Sequence, residues 1–188
     1  LTARGPLTPA MAEYLARGLQ MAEKRQAELI VLQLDTPGGS VELANRMTQD
    51  IRASQVPVVV YVSPSGAIAG SAGTLITLAG HVAAMTPETA IGAASPVGME
   101  GEDLGETMEA KVKNLLKATV RSLAERRGPE AVDLAERTIE EADAVSASQA
   151  LQAGLIDFVA DDLDDLLDQL DGFLVQIDNS ERVINTQE

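Results

Sequence analysis

A chain of 188 residues, 45% of them hydrophobic, is long enough for one domain with a sizeable core and short for two. Aromatics make up 2% and Trp is absent, so that core must be built from Ala, Val, Leu, Ile and Met. A formal charge of −15 argues against nucleic acid as a partner, the absence of Cys excludes disulfides, thiolate catalysis and Cys-ligated zinc, and a single His, His81, excludes a His-rich metal site.

Leu7 to Arg25 places Met11, Leu15 and Leu19 at a helical period, with Thr8 as N-cap and Pro9 at the first helical position. Leu29 to Leu34 is a short branched apolar run, a buried strand ending in the turn Asp35-Thr36-Pro37-Gly38-Gly39. Val41 to Ala53 returns to a helical period through Leu43, Met47 and Ile51. Pro57 to Val62 is a second buried strand, closed by Ser63-Pro64-Ser65-Gly66. The stretch from Gly66 to Thr74 then has almost no packing volume, with Ser71 at its centre, and runs into the apolar Thr74 to Ala79. His81 to Met85 reads as a third short strand stopped by Pro87, and Ala90 to Gly105 as glycine-rich and irregular.

A long helix is predicted over Thr107 to Arg127, with Val112, Leu115, Leu116, Val120 and Leu123 on one side and Gly128-Pro129 as its stop. Helical patterns resume over Glu130 to Glu141 and Ala144 to Ala153. Leu155 to Val159 reads as a strand, and Asp161 to Asp171 as a solvated helix with one leucine stripe. Strands alternating with helices imply βαβ units, a mostly parallel sheet and an α/β fold. Residues 1–172 are expected to form the domain and 173–188 a C-terminal extension. The chain opens at Leu1 rather than Met, as expected of a mature or excised segment, and no apolar run reaches the ~18 to 20 residues of a membrane helix.

Both glycine turns follow buried strands, and open α/β sheets bind ligands at the carboxyl ends of their strands. Glycine there lets main-chain N–H groups approach an oxyanion. Neither turn matches a phosphate-binding glycine loop, and neither contains the G-x-S-x-G of a hydrolase nucleophile elbow. Small residues around Ser71 therefore fit either tight helix packing or a serine that must be reached. His81, at the head of an apolar strand, reads as structural. The four lysines, Lys24, Lys111, Lys113 and Lys117, read as solvated. Lys111, however, lies four positions from both Thr107 and Leu115, so it can share the core-facing side of its helix. A partly buried lysine loses proton affinity and can then take a proton from a serine hydroxyl. Composition permits that pair without selecting it.

Asp35 to Gly39, Pro57 to Val62 and Ala69 to Thr74, in this order, resemble the Clp-protease/crotonase superfamily, and more closely its membrane-bound NfeD-type serine proteases, encoded beside stomatin-like proteins. Ala84 to Pro87, Ala90 to Ala94, Lys111 to Asn114, Arg121 to Ala124 and Ala150 to Ile156 extend the likeness over nearly the whole chain. The resemblance implies a Clp/crotonase-like fold of repeated ββα units with a mostly parallel sheet and flanking helices. It implies a serine endopeptidase in which Ser71 is the nucleophile and Lys111 the general base. Backbone N–H groups of Gly39 and Ala72 would form the oxyanion hole, and Gly38, Ser40 and Gly70 would touch substrate. No cofactor and no metal are implied. Soluble Clp peptidases use a histidine downstream of the serine as base, where this chain reads Ala94-Ser95-Pro96; that departure favours the Ser–Lys pair.

The partners implied are a hydrophobic peptide, such as part of a stomatin-like membrane protein, and further copies of the chain in a homodimer or higher oligomer. The address implied is membrane association of the full-length protein, with this domain outside the cytoplasm. Two alternatives stay open. One is a catalytically weak assembly module of the same fold, using the loop from Gly92 to Glu109 as an interface. The other is a crotonase-like acyl-CoA enzyme.

Overall fold

Residues 1–96, 105–178 and 180–187 are described by the structure, a computed structural model. Thr8 caps helix α1 (Pro9–Arg25) by accepting the Met11 N–H, and Pro9 fits the first turn, where a missing N–H costs nothing. Ser40 caps α2 (Val41–Ala53) in the same way, accepting from Leu43. Each helix turns one stripe inward: Ala12, Leu15, Leu19 and Ala22 on α1, and Ala44, Met47 and Ile51 on α2.

Five parallel strands make the main sheet in the order β1 (Thr2–Arg4), β2 (Ile30–Asp35), β3 (Val58–Val62), β5 (Val82–Met85) and β8 (Phe158–Val159). All five residues of β3 are buried, as expected of a central parallel strand covered on both faces. Leu32, Leu34, Val58, Val60, Val62, Ala83 and Met85 join the larger core with α1 and α2. Val59, Tyr61, Val82 and Ala84 point the other way, onto Leu166 and Leu170 of the acidic helix and onto Val175 and Ile184. Those last two belong to the segment 173–188, which folds back as an antiparallel hairpin, β9 (Leu174–Ile177) with β10 (Ser180–Val183), and closes the second face.

A second sheet of three-residue strands carries the functional region. β4 (Ile68–Gly70) pairs in parallel with β6 (Ala90–Gly92), and β6 pairs antiparallel with β7 (Ala144–Ser146). A bridge between Thr36 and Ala69 ties the end of β2 to β4. None of these strands is long enough to show a period of two. Ala144 to Ser146, expected as helix, is strand, and α6 (Ala147–Gln152) starts only after Ser146, which forms a capping box with Gln149. The strand expected from Leu155 shrinks to β8.

The remaining helices are α3 (Ala72–Ala79), α4 (Glu106–Ala124) with a 3₁₀ turn at Glu125–Arg127, α5 (Pro129–Glu140) and α7 (Leu163–Leu170). On α4 the buried stripe is Leu116, Val120 and Ala124, spaced by four. Leu115, expected on that stripe, is 70% exposed, because it lies one residue, about 100° of helix, off a row only one residue wide. Part of the loop expected between Ala94 and Met108, residues 97–104, lies outside the described residues.

Candidate active site

β4 runs directly into α3, and Ser71 is the residue between them. It sits at φ 50° and ψ −117°, a conformation that costs a non-glycine residue about 1–3 kcal/mol unless its surroundings hold it. They do. The Ser71 N–H donates to the Gly92 carbonyl at 3.0 Å, its carbonyl accepts the Thr74 N–H at 3.0 Å, and Thr74 Oγ1 donates to the Ala69 carbonyl at 3.1 Å. Ala69 and Ala72 are buried on either side while Ser71 stays half-buried. A sharp strand-to-helix turn that presents a serine is the geometry of a nucleophile elbow. The sequence pattern misses it because Ala69 stands where the first glycine of G-x-S-x-G is expected. The second glycine is needed: a Cβ on Gly73 would lie 2.7 Å from Thr36 Cγ2.

The two glycine turns interlock. Gly38 holds φ +109°, and a Cβ there would meet Ser71 Cβ at 2.7 Å, the Gly70 carbonyl oxygen at 3.0 Å and Ala72 N at 3.1 Å. Thr36 stitches the turns together: its Oγ1 accepts the Gly38 N–H at 3.0 Å and its carbonyl accepts the Gly70 N–H at 2.9 Å. Of the three residues expected to touch substrate, Gly38 and Gly70 thus use their N–H groups within the turns, and Ser40 uses its hydroxyl to cap α2. The N–H groups of Gly39 and Ala72 donate to no acceptor among the described residues. Ala72 is the first residue of α3, where N–H groups lack an intrahelical partner and the helix dipole favours negative charge. An oxyanion beside Ser71 would find donors of this kind.

Ser71 also borders a cavity of about 20 Å³ whose other walls are Val41, Ala44, Ala72, Leu75, Ala94 and Leu116, all apolar. Hollows of about 440 and 430 Å³ lie elsewhere, one beside α5 and α6 and one at the carboxyl ends of β1 to β3, and neither is lined by Ser71 or Lys111. Volume does not single out this turn; the backbone conformation of Ser71 does.

Lys111 lies in the second turn of α4 and is exposed, not partly buried as the spacing would permit, because its side of the helix is that of the exposed Leu115. No hydrogen bond joins Ser71 Oγ to Lys111 Nζ. Next to it, Lys113 pairs with Glu109 at 2.8 Å, and Lys117 with Glu140 at 3.2 Å. His81 is buried at the opposite end of the sheet, with Nδ1 accepting the Val58 N–H at 3.1 Å. Burial, then the charges of Arg52 and Arg126, push its pKa down to about 4. Such a histidine is a neutral structural acceptor, in keeping with its sequence context. Among the described residues no group of three or more Asp, Glu and His is placed to hold a metal ion.

A serine elbow followed on the next long helix by a lysine is the constellation on which comparison with known proteins bears. The family described as NfeD1b, N-terminal domain, matches residues 5–179. The chain belongs to that family. The membrane-bound protease PH1510 of Pyrococcus horikoshii is 37% identical over 176 residues, which cover 93% of this chain and 40% of that protein. The membrane protein NfeD1b of Bacillus subtilis is 31% identical over 172 residues, covering 85% and 38%. The chain therefore spans about two fifths of the length of these curated relatives.

Among solved structures, the 1510-N membrane-bound stomatin-specific protease is similar as a lysine-to-alanine mutant in complex with a substrate peptide. The TM-score is 0.90 at 32% identity, over 99% of this chain and 86% of that one. Its serine-to-alanine mutant gives 0.88 at 31%, over 99% and 91%. The serine and lysine changed in those mutants are one position further apart than Ser71 and Lys111. ClpP1 from Listeria monocytogenes, 17% identical, shares the fold with a TM-score of 0.69 over 88% of this chain and 93% of that one. In this NfeD1b N-terminal domain, no helix among the described residues is long and apolar enough to cross a membrane.

Proposed function

We propose that this domain is a serine endopeptidase with a Ser71–Lys111 dyad that cleaves apolar peptide segments. The observation that carries the reading is the backbone of Ser71, held at φ 50° between β4 and α3 against Gly38. A serine serving only to pack a helix would not need that conformation. The near-identical spacing of the serine and lysine altered in the stomatin-specific relative supports the choice of Lys111 as partner.

In the mechanism, Ser71 Oγ attacks the scissile carbonyl carbon while Lys111 Nζ, as the free amine, takes the hydroxyl proton. The N–H groups of Gly39 and Ala72 hold the oxyanion of the tetrahedral intermediate. Its collapse expels the amine product, which receives the proton from Lys111, and leaves an ester on Ser71. Water, deprotonated by Lys111, then attacks that ester and regenerates the serine. This requires the first turns of α4 to bring Nζ to Oγ when substrate binds; catalytic hydrogen bonds that are open in a free enzyme commonly tighten in the complex. An apolar substrate would at the same time desolvate the lysine and favour its neutral form.

On the same reading the two sheets and their helices form the repeated ββα units of the Clp/crotonase fold. The substrate class is the apolar region of a membrane-associated protein of stomatin type, the active form is a homodimer or larger, and the whole protein is membrane-held with this domain outside the cytoplasm. The apolar lining of the cavity beside Ser71 supports the substrate class.

The test is cleavage of an apolar peptide by the purified chain. Ser71→Ala and Lys111→Ala should each reduce kcat/KM by at least about a thousandfold. A fluorophosphonate should label the wild-type chain at Ser71 and leave Ser71→Ala unlabelled. Cleavage retained by either variant removes the dyad.

A further inference from the structure

We propose that the hollow across the carboxyl ends of the main sheet is a second site, which binds a short free peptide with both of its ends ionised. It is separate from the serine turn. The apolar residues around Ser71, among them Ala44, Leu75 and Leu116, belong to the larger core. The hollow lies on the other face of the sheet, where Tyr61 packs with the second core. Its place follows from the register: Thr2, Gln33 and Tyr61 lie side by side on β1, β2 and β3 and so share one face. Towards β1 that face turns polar, with Thr2 and Arg4 exposed and Gln33 half-buried. There a volume of about 430 Å³ stays open, within the range of small-molecule sites, about 300–1,000 Å³.

One buried group in it lacks a partner. Tyr61 Oη donates to the Ala160 carbonyl at 2.9 Å and accepts from Thr86 Oγ1 at 2.8 Å, so these two walls are satisfied. Ser63 is not. It is 6% exposed, it lines the hollow, and its Oγ has no hydrogen-bond partner among the described residues. Buried hydroxyls are nearly always paired, so an open donor in a cavity wall marks a place for a ligand acceptor.

The charged groups sort by side. At the β1 end Arg4 leans on Asp35, with Nε 3.5 Å from Oδ2, and its terminal nitrogens donate to no described residue. Beside it, Gln33 Oε1 accepts from Thr2 Oγ1 at 3.2 Å, which leaves the amide nitrogen as a donor. At the β8 end stand Asp161 and Asp162. Asp162 Oδ1 caps α7, while Asp162 Oδ2 and the Asp161 carboxylate accept nothing from the described residues. Donors at one end and carboxylates at the other select a ligand carrying a carboxylate and an ammonium. A phosphate would meet the two aspartates and a polyamine would meet Arg4. The one aromatic ring in the lining, Tyr61, is 1% exposed, so no sugar or base can stack there. β1 and β8 are four strand spacings apart, about 19 Å, and side chains from both ends line the same hollow, which shortens the gap between charges. A single amino acid is too short for it; an extended tripeptide, about 10 Å long, is of the right order. Its carbonyls would pass Ser63 Oγ and Gln33 Nε2. Peptide-bond hydrolysis is the class of reaction that supplies such a ligand, but the site does not rest on Ser71 being its source.

The experiment titrates trialanine into the isotope-labelled Ser71→Ala chain and follows its amide resonances up to roughly 10 mM, a range that saturates millimolar sites. Saturable shifts should centre on Gln33, Ser63, Thr86 and Asp162. N-acetyl-trialanine and trialanine amide, each lacking one charge, should bind about fivefold more weakly, the scale of an exposed ion pair. Arg4→Gln, and Asp161→Asn combined with Asp162→Asn, should weaken trialanine by a similar factor. Ser63→Ala should weaken it by about threefold to tenfold and leave the urea midpoint unchanged or higher, because an unpaired buried hydroxyl is removed. A lower midpoint with unchanged affinity would make that hydroxyl structural and overturn the assignment. No saturable shift, equal binding of the capped peptides, or shifts confined to the serine turn would overturn the site, whatever the outcome for the protease.

Discussion

Ser71 and Lys111 stand in opposite kinds of structure. Around Ser71 two glycine turns touch at van der Waals limits, the flanking residues are buried, and the main chain on both sides is hydrogen-bonded. Around Lys111 the helix is open: Met108 is 55% exposed, Leu115 is 70% exposed, and the neighbouring lysine is held by a surface pair with Glu109. Exposed pairs of that sort fix little. On the proposed reading, the nucleophile's geometry is set by backbone packing before any substrate arrives, whereas that of the base is left to be completed. For the proposed peptidase of apolar segments this would be a workable division, since the substrate that displaces water from α4 would also be the one to be cut.

The sharpest way to break the contrast is at Gly38. Gly38→Ala places a methyl against Ser71 Cβ and the Gly70 carbonyl at a positive φ, so the elbow must shift. Activity should fall at least about a hundredfold, the cost of misplacing a reacting group by roughly 1 Å, and unfolding in urea should show a loss of about 2 kcal/mol. Unchanged kinetics would mean that the turn is not preorganised.

A smaller effect is expected at His81, far from both catalytic candidates. Its folded-state pKa of about 4 lies below the ordinary 6.5, so the unfolded chain binds the extra proton between those values. The stability that neutral His81 contributes is therefore complete above about pH 6.5 and is lost as pH falls towards 4. Urea titrations should show wild type losing about 2 kcal/mol more than His81→Asn between pH 7 and pH 5. Cleavage at pH 7 should be alike in the two; a thousandfold loss in His81→Asn would make the histidine catalytic.

The smallest effect belongs to Leu115. Leu115→Ser should leave the urea midpoint within the equivalent of about 0.5 kcal/mol, as for surface positions in general. A larger loss would show that the outer face of α4 is packed in solution.

Much of this architecture is legible from residue order. Thr8-Pro9 and Ser40 mark helix starts because a hydroxyl acceptor ahead of the first turn is a local device, and the runs 30–34 and 58–62 mark buried strands because both their faces are covered. The strands at Ile68 and Ala90 are invisible, being three residues long and set among glycines that carry no periodicity. Ala144 to Ser146 reads as helix because alanine and serine follow helical spacing as readily as they fit a strand, and only pairing with β6 decides. In the candidate site, the glycines and the serine are legible as a group with something to approach. The elbow is not, because Ala69 breaks the pattern while its small Cβ still fits.

What residue order alone determines here is local: the class of fold, the starts and stops of the long elements, and the two turns too small to pack for any ordinary reason. Which turns meet is a long-range matter, decided by the bridge from Thr36 to Ala69 and by the contact of Gly38 with Ser71. The exposure of Lys111 is decided the same way. A helical period locates an apolar stripe to within one residue, about 100° of arc, and packing against α3 and α5 then buries Leu116 and leaves Leu115 and Lys111 outside. Periodicity reports that a helix has an inner face; the neighbours pressed against it determine how wide that face is.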